Sequence, residues 1–87
     1  MYSFTEVIEN LGEEAARLSW KDVSTEASRR YYFAGGEEYE IFFPVALAIS
    51  KSGAHRLVDA DGRSHYIKCD YIAFSFVAKE NCAFWMF

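Results

Sequence analysis

The chain has 87 residues, a length that suits one domain over 1–87, with nine Lys and Arg against thirteen Asp and Glu and a formal net charge of −4. That balance excludes a uniformly basic grip on duplex nucleic acid, which needs clustered cations to neutralise phosphates. The acids are dispersed, as in Glu13-Glu14 and Glu37-Glu38, which also excludes mimicry of nucleic acid.

Two Trp, six Tyr and eight Phe are a heavy aromatic load for so short a chain. Tyr and Trp suit surfaces that are half dry, so part of this load is expected at a subunit interface or in a ligand pocket. The longest apolar stretch, Ile41 to Ile49, is broken by Pro44 and falls far short of the ~20 residues of a membrane helix. With no basic-then-apolar leader pattern, the expectation is a cytoplasmic protein with no membrane partner, in which Cys69 and Cys82 stay reduced.

In chain order, Ser3 reads as an N-cap with Glu6 completing a capping box. Phe4, Val7, Ile8 and Leu11 then form one helical stripe. Gly12 either ends this helix or sits inside a longer one, at a cost of ~1 kcal/mol against Ala. Residues 14–20 are helix if it continues and strand if it ends. Residues 21–28 are polar and turn-like. Arg29 to Ala34 reads as a strand, and Gly35-Gly36 as a turn.

Tyr39 to Phe43 and Val45 to Ser50 read as strands flanking Pro44, which marks a sheet edge or a bulge. Ser52-Gly53 turns the chain. His55 to Asp59 and Ser64 to Lys68 flank Asp61-Gly62, a strong hairpin signal. Tyr71 to Ala78 alternates, with Tyr71, Ala73, Ser75 and Val77 on one face and Ile72, Phe74, Phe76 and Ala78 on the other. Residues 82–87 read as a last apolar strand. The expected fold is α+β: a short N-terminal helix packed on a twisted antiparallel meander of about five to six strands.

No motif specifies catalysis. His55, His65, Cys69 and Cys82 lack the paired spacing of a zinc site. Asp59-Ala60-Asp61-Gly62 lacks the later acids of a calcium loop. Asp70, ahead of an apolar strand, could be a base or a turn cap. Arg29-Arg30-Tyr31-Tyr32-Phe33 places guanidinium groups beside rings, a combination that can stack a purine and pair with a phosphate. The same residues could also form a solvated strand face. No enzyme, cofactor or metal is therefore expected.

Phe4, Val7, Ile8, Leu11, Gly12, Ala16, Arg17 and Trp20 together resemble the opening of the phage Thoeris anti-defence proteins of the second type. Pro44-Val45-Ala46-Leu47 is similar to that family's central strand. Asp70, Ile72 and Ala73 match its closing motif, with Phe76 where a Trp would fall. The resemblance implies a phage protein in the host cytoplasm. Such a protein sequesters a cyclic ADP-ribose-type or cyclic oligonucleotide immune signal without cleaving it.

The resemblance also implies a homo-oligomer, a dimer or tetramer, with a helix that Gly12 ends and a strand over 14–20. The expected ligand-binding residues are Trp20, Tyr31 and Tyr32 for stacking, Arg17, Arg29 and Arg30 for phosphate, and Asp70. The alternative is a small phage inhibitor that binds a host defence protein directly, anchored by Phe84-Trp85-Met86-Phe87.

Overall fold

The computed structural model describes residues 1–80 and Cys82. Helix α1 covers Phe4–Glu9. A 3₁₀ turn covers Ala15–Arg17. Among the described residues seven strands follow: β1 Trp20–Asp22, β2 Glu26–Phe33, β3 Glu38–Phe42, β4 Pro44–Ile49, β5 His55–Asp59, β6 Ser64–Ile67 and β7 Tyr71–Ala78. The expected last strand, 82–87, lies outside the described residues apart from Cys82.

All strand pairs are antiparallel, but they form two sheets rather than one meander. The first has the order β1-β4-β5-β6 and the second β3-β2-β7. Local hairpins join β2 to β3, β4 to β5 and β5 to β6. The non-local pairs, β1 with β4 and β2 with β7, were not foreseen. They divide the strands because the chain turns a sharp corner between β3 and β4. Phe43 sits at that corner with φ 52°, its N–H donating to Ala27 O and its carbonyl accepting from Ala60 N, both at 2.9 Å.

Strand β4 lies in the middle of its sheet and is buried on both faces, which explains the continuous apolar run PVALAI. Leu47 and Leu57 point to the second sheet, where they pack with Val23, Tyr31, Ile41 and Ile67. Val45, Ala46, Val58 and Ala60 point the other way, to Val7 of α1 and the partly buried Phe4, Leu11 and Trp20. The first sheet is thus the middle layer of three. Pro44 opens β4, and the register shifts between Pro44 and Ala46, so the bulge rather than the edge explains the proline.

The three hairpins share one turn. Phe33 N–H donates to Glu37 O, Ser50 N–H to Ala54 O and Asp59 N–H to Arg63 O. Each three-residue loop ends in a glycine of positive φ: Gly36 at 86°, Gly53 at 91° and Gly62 at 82°. This is a type I turn followed by a left-handed bulge residue, a position where a Cβ is strained.

The capping box forms as expected, with Ser3 Oγ accepting from Glu6 N–H and Glu6 Oε1 from Ser3 N–H. Gly12 does not end the helix. The helix stops at Asn10, whose side chain donates to Glu6 O at 2.7 Å. Residues 14–20 are not a strand: Ala15–Arg17 closes one 3₁₀ turn, pinned by Trp20 Nε1 donating to Ala15 O at 2.8 Å. Strand pairing begins only at Trp20, opposite Ala48.

Candidate functional site

The structure scatters the expected ligand residues over several places. Arg17 is exposed on the 3₁₀ turn and meets Glu13 only at 3.9 Å. Arg30 and Tyr32 share the outer face of β2. There Arg30 pairs with Glu40 at 2.9 Å and Glu38 at 3.3 Å, and Tyr32 OH bonds to Ser75 Oγ at 3.1 Å. A phosphate at Arg30 would compete with two carboxylates. Trp20 is half-buried beside α1. Asp70 is exposed between β6 and β7.

Arg29 and Tyr31 lie in the core, 1% and 0% exposed, and are removed from any phosphate or base in solution. A bulge at Ala27 brings Arg29 its buried partner. Because β2 carries one extra residue there, Glu26 faces the same side as Arg29 instead of the opposite one. The buried pair is bidentate, Arg29 Nε to Glu26 Oε1 at 2.9 Å and Nη2 to Oε2 at 2.8 Å.

From Arg29 a chain of bonds crosses the core. Arg29 Nη1 donates to Tyr31 OH at 3.2 Å, and Tyr31 OH meets His55 Nδ1 at 2.6 Å. His55 Nε2 meets Tyr71 OH at 3.1 Å, and Tyr71 OH donates to Gly53 O at 3.1 Å. Since the last step fixes Tyr71 as donor to the carbonyl, His55 must donate from Nε2 and accept at Nδ1, and every donor then runs one way. Burial, and then the Arg29 charge, push the His55 pKa down to about 4. Burial pushes the Tyr31 hydroxyl up to about 12. A second bulge at Ile72 turns Tyr71 onto the same face as Phe74, and both rings meet Tyr31. The simple alternation expected for 71–78 therefore breaks at its first residue. No buried side-chain polar atom among the described residues lacks a partner. The network organises the core.

The place best suited to a ligand is a cleft of about 530 Å³ at the open edge between β3 and β6. Phe33, Glu37 and Tyr39 line one wall and Tyr66, Lys68 and Asp70 the other. Of the expected residues only Asp70 reaches it. Lys68 is exposed and has no carboxylate partner among the described residues. Tyr66 also borders a second hollow of about 170 Å³ with Trp20 and Arg56, and the Arg56 guanidinium lies 5.5 Å from the Tyr66 ring centre.

One wall of the cleft is held by a second histidine. Tyr39 OH meets His65 Nδ1 at 2.8 Å, and His65 Nε2 meets Asp59 Oδ2 at 2.8 Å. Asp59 Oδ1 accepts from the backbone N–H of Asp61 and of Arg63, each at 2.9 Å. Burial works against the Asp59 carboxylate, but the His65 bond and these two N–H groups outweigh it and hold its pKa below the ordinary value.

Tyr39, His65, Tyr66, Lys68, Arg56 and Asp59 were not expected at a site. The sequence held part of the signal: a hairpin joining 55–59 to 64–68 brings Arg56 and Tyr66 together as cross-strand partners. The meeting of Tyr39 with His65 had no signal, because it joins edge strands of different sheets. His55 and His65 belong to separate networks, and Cys69 and Cys82 are free. Among the described residues no group of three His, Cys, Asp or Glu could hold a metal. Comparison with protein families, with curated proteins and with solved structures finds no match to this chain.

Proposed function

We propose that the protein binds a small nucleotide-type anion in the cleft between β3 and β6 and holds it without cleaving it. The observation that carries this reading is the convergence there of three aromatic rings (Phe33, Tyr39 and Tyr66) with Lys68 and the carboxylates of Asp70 and Glu37. Rings stack a base, a cation pairs with a phosphate, and carboxylates accept from ribose hydroxyls. The volume falls in the usual range for a small-molecule site, roughly 300–1,000 Å³. In the form implied by the N-terminal resemblance, the ligand is a cyclic ADP-ribose-type or cyclic oligonucleotide signal. The protein then acts by lowering the free signal, as an oligomer in the host cytoplasm.

Isothermal titration with cyclic ADP-ribose isomers and with cyclic di- and trinucleotides tests this. Saturable heat is expected for at least one of them, with the ligand recovered intact after the protein is denatured. Tyr66→Ala should weaken binding about tenfold or more, since stacking on an aromatic side chain contributes about 1–3 kcal/mol per base. No heat with any of these ligands, at protein well above micromolar, sinks the reading.

A second reading rests on the outer face of the β3-β2-β7 sheet, where Phe42 and Val77 flank Ser28 at 63% and 62% exposure. An apolar face of this kind suits protein association, either with a host defence protein or with another copy of the chain. The tail Phe84-Trp85-Met86-Phe87 that first suggested it lies outside the described residues. A host protein retained stoichiometrically by the wild type and lost with Phe42→Ser and Val77→Ser would favour it.

A further inference from the structure

The Asp59–His65–Tyr39 relay fixes a direction as well as a position. Asp59 Oδ2 is a carboxylate oxygen and can only accept, so His65 Nε2 carries the proton it donates. With the ring neutral, Nδ1 carries a lone pair and Tyr39 gives its hydroxyl proton to that nitrogen. Tyr39 has one proton to give and has given it. What its oxygen offers to the cleft is lone pairs. The Asp70 and Glu37 carboxylates on these walls also accept, whereas the Tyr66 hydroxyl and the Lys68 ammonium can donate.

We propose that the cleft selects ligands that present a hydrogen-bond donor, an amino group in particular, to Tyr39, and discriminates against the carbonyl-bearing counterpart. This rests on the reading of the cleft as a nucleotide site and sharpens its ligand class: bases with an exocyclic amine over their oxo analogues. Facing Tyr39, an oxo group brings two acceptors together. Tyr39 is 42% exposed, so an oxo group seated there displaces water and returns no hydrogen bond to the tyrosine oxygen, a mismatch that polar recognition sites reject. Tyr39 is the specificity-determining residue, and His65 and Asp59 are positioning residues that act through it.

Asp59→Asn tests the direction as well as the contact. Asp59 Oδ1 is held by two backbone N–H groups, so the amide oxygen of the variant must stay there and its NH₂ must take the place of Oδ2. His65 Nε2 then becomes the acceptor, the ring proton moves to Nδ1 and donates to Tyr39, and the tyrosine proton turns into the cleft. The preference should reverse.

The experiment titrates the full chain at about pH 8, above the ordinary histidine range, with AMP, IMP, CMP and UMP, two pairs that differ by amino against oxo. The wild type should bind AMP at least tenfold tighter than IMP and favour CMP over UMP in the same sense. Tyr39→Phe should bring both ratios close to one, and Asp59→Asn should invert them. Nitrogen-15 NMR of His65 should show the proton on Nε2 in the wild type and on Nδ1 in Asp59→Asn.

Binding of all four nucleotides without discrimination overturns this proposal and leaves the nucleotide reading standing. The same holds for ratios unchanged in Tyr39→Phe, or for a wild-type ring protonated on Nδ1. Binding of none of the four overturns this proposal, while the nucleotide reading itself falls only if the cyclic ligands also give no heat.

Discussion

Arg29 shows how far one residue's role depends on what it faces. Beside Arg30 in the sequence it has the same chemistry and the same neighbours, yet Arg30 meets solvent and Arg29 does not. Its guanidinium lies 4.8 Å from the centre of the Phe74 ring and is satisfied by Glu26 and Tyr31. Arg29→Met should therefore destabilise the fold by about 3–5 kcal/mol, because it leaves the Glu26 carboxylate buried without its cation. The double variant Glu26→Gln, Arg29→Met should recover much of that loss, since no uncompensated charge remains. Urea unfolding of both variants measures the difference. A single variant no less stable than the double one would contradict the internal role of the pair. Cover by the first sheet and a bulge that turns Glu26 to the same face decided this role, and Arg-Arg-Tyr-Tyr carries no trace of either.

At the scale of elements, the hairpins are the most legible part of the chain. Each is closed by the same pair of backbone bonds and each ends its loop on glycine. Gly62 is the most constrained: at φ 82° a Cβ would also stand 3.0 Å from Cε2 of the Tyr2 ring. Gly62→Ala should cost about 1–2 kcal/mol from the left-handed backbone alone. Gly12→Ala should be neutral or slightly stabilising, since Gly12 has no positive φ and nothing within 4 Å of its would-be Cβ. Thermal unfolding of the two variants side by side checks the contrast, and equal losses would contradict it. The expected importance of Gly12 came from reading it as a helix stop. The stop is Asn10, which turns its own amide back onto the helix.

At the scale of the whole molecule, acid should weaken the fold through His55. The histidine is 3% exposed, and its pKa in the folded protein, about 4, lies below the ordinary 6.5. Above pH 6.5 the ring is neutral in both folded and unfolded chains. As pH falls below that, the unfolded chain takes up a proton that the folded one refuses, so stability falls until about pH 4 and then levels off with respect to this group. The drop should be about 3 kcal/mol, and His55→Gln should flatten it. Asp59, whose pKa is lowered, adds to the loss as it too becomes protonated. Urea unfolding at steps from pH 7 to pH 4 reads the slope, and a flat profile between 6.5 and 4 would refute the internal, neutral histidine. Among the described residues no helix is long and apolar enough to cross a membrane.

What the sequence determined by itself is local. Ser3 and Glu6 cap a helix because their side chains reach backbone groups within one turn. The glycines at 36, 53 and 62 set hairpins because only they tolerate the backbone the turn needs. The Asp61-Gly62 hairpin signal placed a strand over 55–59, and alternation placed one over 71–78, close to where they lie. What only the tertiary structure decided is non-local: the pairing of β1 with β4 and of β2 with β7, the division into two sheets, and the extra residues at Ala27 and Ile72. A strand's partner depends on segments far along the chain, and one bulged residue exchanges the faces of everything beyond it. Arg29 and Tyr31, expected at a ligand, are core because they lie on the face of β2 that the first sheet covers. Tyr39 and His65 meet across a cleft between two sheets because the corner at Phe43 folds one sheet over the other.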